Sequence, residues 1–177
     1  MTVTIHIDVP RDVLPSAEEL ADAGRQGMEV LVKEHLLARN ESRPKRGLMP
    51  KSNYYADAAK AVTSTVSGKR AEVVIDQTGI SLHYYGGIVL PTKGRALAIP
   101  KHPAVHDQKP SEMDPARRLL QCVWPKGKNI GVLKNKATDE IYYLLIKKAS
   151  IPADKTVIPT EEALHEAAKK AINSIIK

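Results

Sequence analysis

At 177 residues, with a formal net charge of +7 and a single cysteine, Cys122, the chain can bury a core of its own but cannot form an internal disulfide. The length favours one domain over residues 1–177, with a long loop at about 100–115. No apolar run approaches the roughly 20 residues of a membrane-spanning helix, and the N-terminus lacks a signal-peptide pattern. We therefore expect a protein without a membrane partner that is either a soluble cytosolic product or one that stays inside the cell until it joins something larger.

The N-terminal part predicts one strand and one helix. Val3–Val9 alternates apolar and polar side chains, which is typical of a half-buried strand. Ser16 and Glu19 form a capping-box pattern, so a helix should begin there and run to about Arg39. The apolar stripe predicted for this helix contains Leu20, Met28, Leu31, Val32 and Leu36.

A second helix is predicted after a basic segment, residues 39–51, whose two prolines and one glycine favour a loop. Ser52 is a suitable N-cap residue for that helix, because its hydroxyl can accept a bond from a free backbone N–H group. The apolar side of the helix would consist of Tyr55, Ala58, Ala59, Val62 and Val66.

The middle of the chain predicts an antiparallel meander punctuated by glycine turns. The predicted strands are residues 71–76, 80–85, 88–91 and 95–100. The segment Pro100–Pro115 contains four prolines and mostly polar side chains, so it should be a loop without a core of its own. We expect this loop to be mobile in the free subunit and ordered only by contacts in an assembly.

Two more strands, Ile130–Leu133 and Ile141–Lys147, precede a final helix that Thr160 caps. Its predicted stripe contains Leu164, Ala168, Ala171, Ile172 and Ile175. The expected fold class is α+β: an antiparallel β-sheet packed by N-terminal and C-terminal helices, with long extended loops.

One strand, Ile141–Ile146, is apolar at every position, so both of its faces need cover. The final helix can cover one face and the first helix can reach part of the other. The face that is left over is then a candidate contact for a neighbouring subunit. The alternative is a central strand covered on both faces by the chain's own helices.

All six tyrosines occur as adjacent pairs, and two pairs fall in predicted strands: Tyr84-Tyr85 and Tyr142-Tyr143. Adjacent residues of a strand point to opposite faces, so each pair should present one ring inward and one outward. An outward tyrosine suits an interface, since its body is apolar and its tip polar. These four tyrosines are interface candidates.

A basic run between residues 115 and 138 contains no aspartate or glutamate. Its members are Arg117, Arg118, Lys126, Lys128, Lys134 and Lys136. Such a run is consistent with a solvated face, with nucleic-acid binding or with an acidic protein surface. The four lysines are the second group of interface candidates, and we favour a protein partner because a strongly basic channel would hinder sliding DNA.

Residue types suited to catalysis are present but do not assemble into a recognisable motif. His102 and His106 with Asp107 have a spacing compatible with a metal only on a helix, which Pro103 opposes, so we expect an ordinary loop. Cys122, next to Val123 and a tryptophan, is expected to be a small buried hydrophobe rather than a nucleophile. We expect no enzyme, no cofactor and no metal.

Three stretches in order resemble the phage virion-morphogenesis family, the Mu-like tail-completion or head-tail joining neck proteins. They are residues 52–56 (SNYYA), residues 79–100 (GISLHYYGGIVLPTKGRALAIP) and residues 142–172 (YYLLIKKASIPADKTVIPTEEALHEAAKKAI). The similarity spans about Val30 to Ile175 and lies in turns and helix caps. Gly86, Gly87, Gly94 and Pro100 match the turn pattern of the family and are expected to be structural.

The resemblance implies a structural virion protein that completes the tail or joins head to tail. It implies a homo-oligomeric ring, expected to be a hexamer, beside neighbouring neck and tail proteins, with DNA passing through its channel. The protein would then lie in the virion, after assembly in the host cytoplasm, and would carry no catalytic residues. The alternatives are a basic nucleic-acid-binding module, an assembly factor not retained in the mature particle, and a hydrolase that uses Cys122.

Overall fold

The computed structural model describes residues 15–42, 53–92, 94–106, 108–116 and 118–176, together with the backbone of residues 2–6. The predicted N-cap Ser52, the end of the predicted first strand, Arg117 and most of the basic segment after Ser42 lie outside this part of the chain. The elements are β1 (Thr2–His6), α1 (Ala17–Ser42), α2 (Tyr54–Lys60), β2 (Val62–Ser67), β3 (Arg70–Ile75), α3 (Ile80–Tyr85), β4 (Gly87–Val89), β5 (Leu97–Pro100), α4 (Pro110–Met113), β6 (Leu120–Val123), β7 (Ile130–Asn135), β8 (Ile141–Ile146), β9 (Ala149–Ile151) and α5 (Glu161–Ile175). Short 3₁₀ turns form at Pro103–Val105 and Lys155–Val157.

The α+β fold class is confirmed, and all strand pairs are antiparallel. The residues cluster into two compact units. The first unit comprises Met1–Arg43, Asn53–Gly86 and Pro152–Lys177, and the second comprises Pro44–Ser52 and Gly87–Ile151. Among the described helices, none is long and apolar enough to cross a membrane.

The first unit packs α1, α2 and α5 with a three-stranded sheet of order β1-β3-β2. The predicted capping box begins α1: the Ser16 N–H donates to the Glu19 carboxylate at 2.7 Å, and the Glu19 N–H donates to the Ser16 hydroxyl at 3.2 Å. The predicted Thr160 cap of α5 is also present. The core consists of Met28, Val32, Leu36, Tyr55, Ala58, Ala59, Val62, Ala71, Val73, Ile75, Ile80, Val157, Ile158, Leu164 and Ala168.

The helix α5 packs along α1, and Gly27 of α1 lies close to the backbone of α5. A Cβ atom at Gly27 would lie 2.5 Å from the Ala167 carbonyl oxygen and 2.9 Å from the Ala171 Cβ. Small residues therefore let the two helix backbones come together. In the second unit, Tyr143 of the Ile141–Ile146 strand packs in a cluster of its own with Val105 and Met113.

The second unit contains a four-stranded sheet of order β5-β8-β7-β6 and a two-stranded sheet of β4 and β9. The strands β6 and β9 and the helix α4 were not predicted. Val105 is fully buried against β8. Val105 therefore anchors the predicted loop Pro100–Pro115 to the sheet, so this segment packs on the core of the sheet instead of forming a core of its own.

Two helix–strand assignments are also wrong. Ile80–Tyr85 is the helix α3, flanked by Gly79 with φ 92° and Gly86 with φ 75°. Glycine adopts such positive φ values without strain, and the six residues between the two glycines form a helix of about one and a half turns. Ile80 of this helix is buried and Tyr84 is partly buried. The second predicted helix stops at Lys60, and Val62 and Val66 lie in β2, where β-branched residues suit a strand.

Candidate functional site

The pairing register of the four-stranded sheet sorts its side chains onto two faces, because residues directly opposite each other share a face. Tyr143 of β8 pairs with Pro100 and Leu133, and Leu145 pairs with Ala98 and Gly131. Tyr143 is fully buried and Leu145 is 8% exposed. These residues form the covered face of the sheet.

Segment 103–113 packs on the covered face. The Tyr143 hydroxyl donates a hydrogen bond to the Gln108 carbonyl at 3.2 Å, and Val105 and Met113 contact the same cluster. Burial, with the nearby Glu112 carboxylate, raises the pKa of Tyr143 above its usual value. The covered face is thus completed by the segment that the sequence analysis expected to be a mobile loop.

Tyr142 and Tyr143 are both buried, so the prediction of one inward and one outward ring is wrong for this pair. The register shifts between Leu133 and Lys134: Leu133 faces Tyr143, whereas Lys134 faces Ile141. This bulge breaks the alternation of side chains at Tyr142. The Tyr142 ring stacks on His102 at 4.9 Å, and its hydroxyl accepts a bond from the Asn135 amide at 3.0 Å. Neither tyrosine is available as an outward interface residue.

The opposite side of the same sheet is apolar and is not buried, and we call it the open face. Its apolar members are Leu97, Ile99, Val123, Ile130, Val132, Ile141, Leu144 and Ile146, each placed there by the strand pairing. Ile130 is 51% exposed, Ile141 45% and Ile99 36%. An apolar face of this extent is typical of an interaction site. It is the unsatisfied second face that the all-apolar strand Ile141–Ile146 predicts.

The four candidate lysines do not form one patch. Lys126 and Lys128 lie in the hairpin between β6 and β7, whereas Lys134 and Lys136 lie at the other end of β7 and are separated from them by roughly 20 Å of strand. The Lys134 ammonium is also bound by both oxygens of Asp139 at 3.0 Å, just beyond the acid-free run. Among the described contacts, Lys126 and Lys128 are therefore the two candidates that lie together in one hairpin without an ion pair.

Other basic residues join Lys126 and Lys128 at their end of the sheet. Because Ile146 pairs with both Leu97 and Ile130, the residues flanking these three positions converge. We call the resulting set the basic end: Arg95, Lys126, Lys128, Lys147 and Lys148, all of them exposed. Within the described part of the chain, no ion pair or hydrogen bond of these five side chains is present. Arg95, Lys147 and Lys148 were not predicted as interface candidates, although Arg95 and Lys147 lie in predicted strands and Lys148 directly follows one.

The charge of the protein resides in the segment that carries this sheet. Residues 87–151 contain 12 of the 27 lysines and arginines but 5 of the 20 aspartates and glutamates, which is a net charge of +7. The remainder of the chain has 15 basic and 15 acidic residues and is neutral. Any acidic partner is therefore attracted to the second unit.

Asp114 organises the backbone beside the covered face. Its buried carboxylate accepts bonds from the N–H groups of Arg118, Leu119 and Leu120 at 2.8, 2.9 and 2.8 Å. Burial alone would raise the pKa of Asp114, but these three bonds and the Lys136 ammonium outweigh it and hold the pKa below its usual value. This carboxylate holds the turn that leads into β6.

The second pair of candidate tyrosines, Tyr84 and Tyr85, belongs to the first unit. The Tyr84 and Tyr85 rings meet edge to face at 4.8 Å, and the Lys155 ammonium lies 3.9 Å from the Tyr84 centroid and 4.4 Å from the Tyr85 centroid. Tyr84 packs partly on the core, whereas Tyr85 is 63% exposed. One ring is inward and one outward as expected, but a helix rather than a strand places them. Tyr85 remains an interface candidate.

Two residues considered for chemistry have other surroundings. The Nδ1 atom of His102 accepts a bond from the Ala104 N–H at 3.2 Å, which caps the 3₁₀ turn. In the described residues there is no group of three or more metal-ligating side chains; Asp107 lies outside them. Cys122 is exposed, so the prediction that it is buried is wrong. It lies on the edge strand β6, beside a groove that Leu120 and Leu133 also line.

The chain matches no family model, no curated protein and no solved structure. The resemblance to the virion-morphogenesis family therefore remains a prediction from the sequence.

Proposed function

We propose that the protein is a structural component of a tailed-phage particle, in which it completes the tail or joins head to tail as a subunit of a ring. The observation that carries this proposal is the open face beside the basic end. Eight apolar side chains on one face of a sheet, next to five exposed cations, are suited to permanent contact with another protein.

The two units offer surfaces with different electrostatic properties for such an assembly. The first unit contains 12 basic and 15 acidic residues, a net charge of −3, and exposes Tyr85, so copies of the chain can meet there with little net repulsion. The second unit contains 15 basic and 5 acidic residues, a net charge of +10, and suits a different, acidic neighbour. In this arrangement Tyr85 contributes to the contacts within the ring, and Tyr142 and Tyr143 stabilise the subunit.

The experiment is an amber mutation of this gene in the phage genome that encodes it. We expect non-suppressing cells to accumulate DNA-filled heads and separate tails, as seen by electron microscopy, and a suppressor to restore joined particles. Infectious particles of normal appearance from the non-suppressing cells would contradict the proposal.

The assembly-factor alternative predicts the same defect but a different composition of the finished particle. Mass spectrometry of purified virions separates the two, since a ring subunit is retained in a fixed number of copies and an assembly factor is absent. Electron micrographs of the purified protein would show and count the subunits of a ring.

A nucleic-acid-binding module is the second candidate, because the basic end presents five cations. It predicts binding of duplex DNA by the purified protein with an affinity that falls steeply as salt rises. The open face argues for the protein partner, since phosphates cannot cover apolar side chains.

A further inference from the structure

We propose that the open face and the basic end together bind one acidic amphipathic helix of a partner protein. The inference rests on the proposed function, because it names the kind of neighbour that the particle would supply. The apolar stripe of the helix would cover the open face, and acidic residues on its flanks would meet the basic end.

The dimensions of the open face match a single helix. Four strands spaced about 4.8 Å apart put the outer two roughly 14 Å from each other, and strands of four to six residues are roughly 13–20 Å long. A helix with its side chains is about 10–12 Å wide and covers that length in about three turns. A strand would add to an edge of the sheet, which leaves the open face uncovered.

Apolar contact alone would give only a weak complex. The footprint is on the order of 300 Å² by these dimensions, well below the roughly 800 Å² per partner of a stable interface. The five cations of the basic end supply the missing attraction and fix the direction of the helix, since they lie at one end of the sheet only. An acidic helix therefore satisfies both features at once.

A second copy of the chain is a poorer occupant of the open face. Packing two such faces together would bring two segments of net charge +7 into contact. That repulsion opposes association at the ionic strength of a cell.

Nucleic acid is a poorer occupant as well. The only tryptophan, Trp124, lies against Gly131 on the covered face, and its Nε1 donates to the Lys128 carbonyl at 2.9 Å. No stacking surface for bases is therefore presented on the open face by the described aromatic residues.

The test uses the full-length protein and a synthetic helical peptide of about 14 residues, with leucines along one face and glutamates elsewhere. Binding is followed by anisotropy of a label on the peptide. We expect saturable binding, and an Ile130→Glu variant should weaken it by about tenfold or more. The matched control is Val30→Glu on α1, which replaces an equally exposed residue, 54% against 51%, and should leave the affinity within about twofold.

Charge is tested in the same way. The double variant Lys126→Gln/Lys128→Gln should weaken binding by about fivefold or more, whereas Lys169→Gln/Lys170→Gln on α5 should change it little. A peptide with lysines in place of the glutamates should not bind.

Besides a failure of the peptide to bind, three outcomes would overturn the inference. A polyglutamate peptide without leucines that binds equally well would mean that the open face is not used. Duplex DNA that competes with the peptide and binds more tightly would identify a nucleic-acid surface. If light scattering shows an oligomer that dissociates with Ile130→Glu but not with Val30→Glu, the open face binds a second copy of the chain.

The result is separable from that of the amber mutation. If the phage needs the protein but the peptide does not bind, this inference fails and the proposed function stands. If the peptide binds and particles form without the protein, the proposed function fails and the binding surface stands.

Discussion

Asp114 is the residue on which the entry to β6 depends most directly. Three backbone N–H groups within reach of a carboxylate are an uncommon concentration of donors, and the side chain that accepts their bonds is only 5% exposed. A neutral amide at this position keeps the shape but places its own NH₂ group near those donors. The charge as well as the geometry is therefore required.

We predict that Asp114→Asn lowers the free energy of unfolding by about 1–3 kcal/mol at neutral pH. The pKa of Asp114 is lowered in the folded protein, so its contribution is complete above the ordinary aspartate pKa. It is lost as the pH falls through the folded-state value. The difference between wild type and variant should accordingly be constant near neutrality and shrink in acid.

Urea titrations at several pH values, followed by the fluorescence of Trp124, provide the measurement. Asp139→Asn is the matched control, because that carboxylate is exposed and binds only the Lys134 ammonium among the contacts described. It should cost less than about 0.5 kcal/mol. An Asp114→Asn penalty that stays the same down to strongly acidic pH would contradict the linkage.

At the scale of the element, the α1–α5 pair depends on the absence of a side chain at Gly27. Replacing glycine by alanine inside an exposed helix normally stabilises it by roughly 0.5–1 kcal/mol. Here we predict the opposite sign: Gly27→Ala should destabilise by about 1–3 kcal/mol, because the new Cβ would meet the Ala167 carbonyl oxygen. Thermal unfolding followed by circular dichroism measures it. The control is Asn173→Ala at an exposed position of α5, which should be neutral or slightly stabilising. An increase in stability from both variants would show that the helices can separate at no cost.

Segment 103–113 is a second element for which the structure leads to a new expectation. Since Val105 is fully buried and Tyr143 binds Gln108, we now expect this segment to resist a protease of broad specificity in the isolated protein. Val105→Ala should cost about 2 kcal/mol and make the segment an early site of cleavage. Val30→Ala, the same change at an exposed valine, should not. If the wild type is instead cleaved early within 103–113, and this cleavage is suppressed only in an assembly, the prediction of a mobile loop is supported.

The elements that the sequence predicted correctly are those with two agreeing signals. α1 and α5 combine a cap with a long apolar stripe, and β3, β7 and β8 combine β-branched residues with turn signals. Ile80–Tyr85 is too short for periodicity to separate strand from helix, and the left-handed conformation of Gly79 decides it. The bulge at Tyr142 could not be predicted, because it depends on the pairing of β8 with β7.

At the scale of the whole molecule, the sequence predicted one part of the candidate site correctly and another part wrongly. The all-apolar strand Ile141–Ile146 correctly indicated a face without cover, since a buried strand needs two partners and a short chain supplied one. The basic run was misleading, because adjacency in sequence placed Lys128 and Lys134 at opposite ends of β7. Arg95 and Lys147 join Lys128 only through the antiparallel register, which no single stretch of sequence contains.

The two units have cores of unequal size, which makes their relative stability testable. Among the described residues, the core cluster of the first unit contains 15 buried residues and the cluster around Tyr143 contains 3, with an open apolar face still in contact with water. We predict that the fluorescence of Trp124, in the second unit, changes at a lower urea concentration than the helical circular dichroism signal, which comes mainly from the first. Coincident transitions would instead support the single cooperative domain that the length of the chain suggests.

The same urea titration in the presence of the acidic peptide tests whether the peptide stabilises the second unit alone. A ligand that binds only the folded second unit stabilises it by RT ln(1 + [L]/Kd), or about 2.7 kcal/mol at a hundredfold excess over Kd. We therefore expect the Trp124 transition to move to higher urea with peptide while the helical transition stays in place. In the Ile130→Glu variant the shift should vanish. A shift of both transitions together would show that the peptide stabilises the whole chain and that its two cores unfold as one.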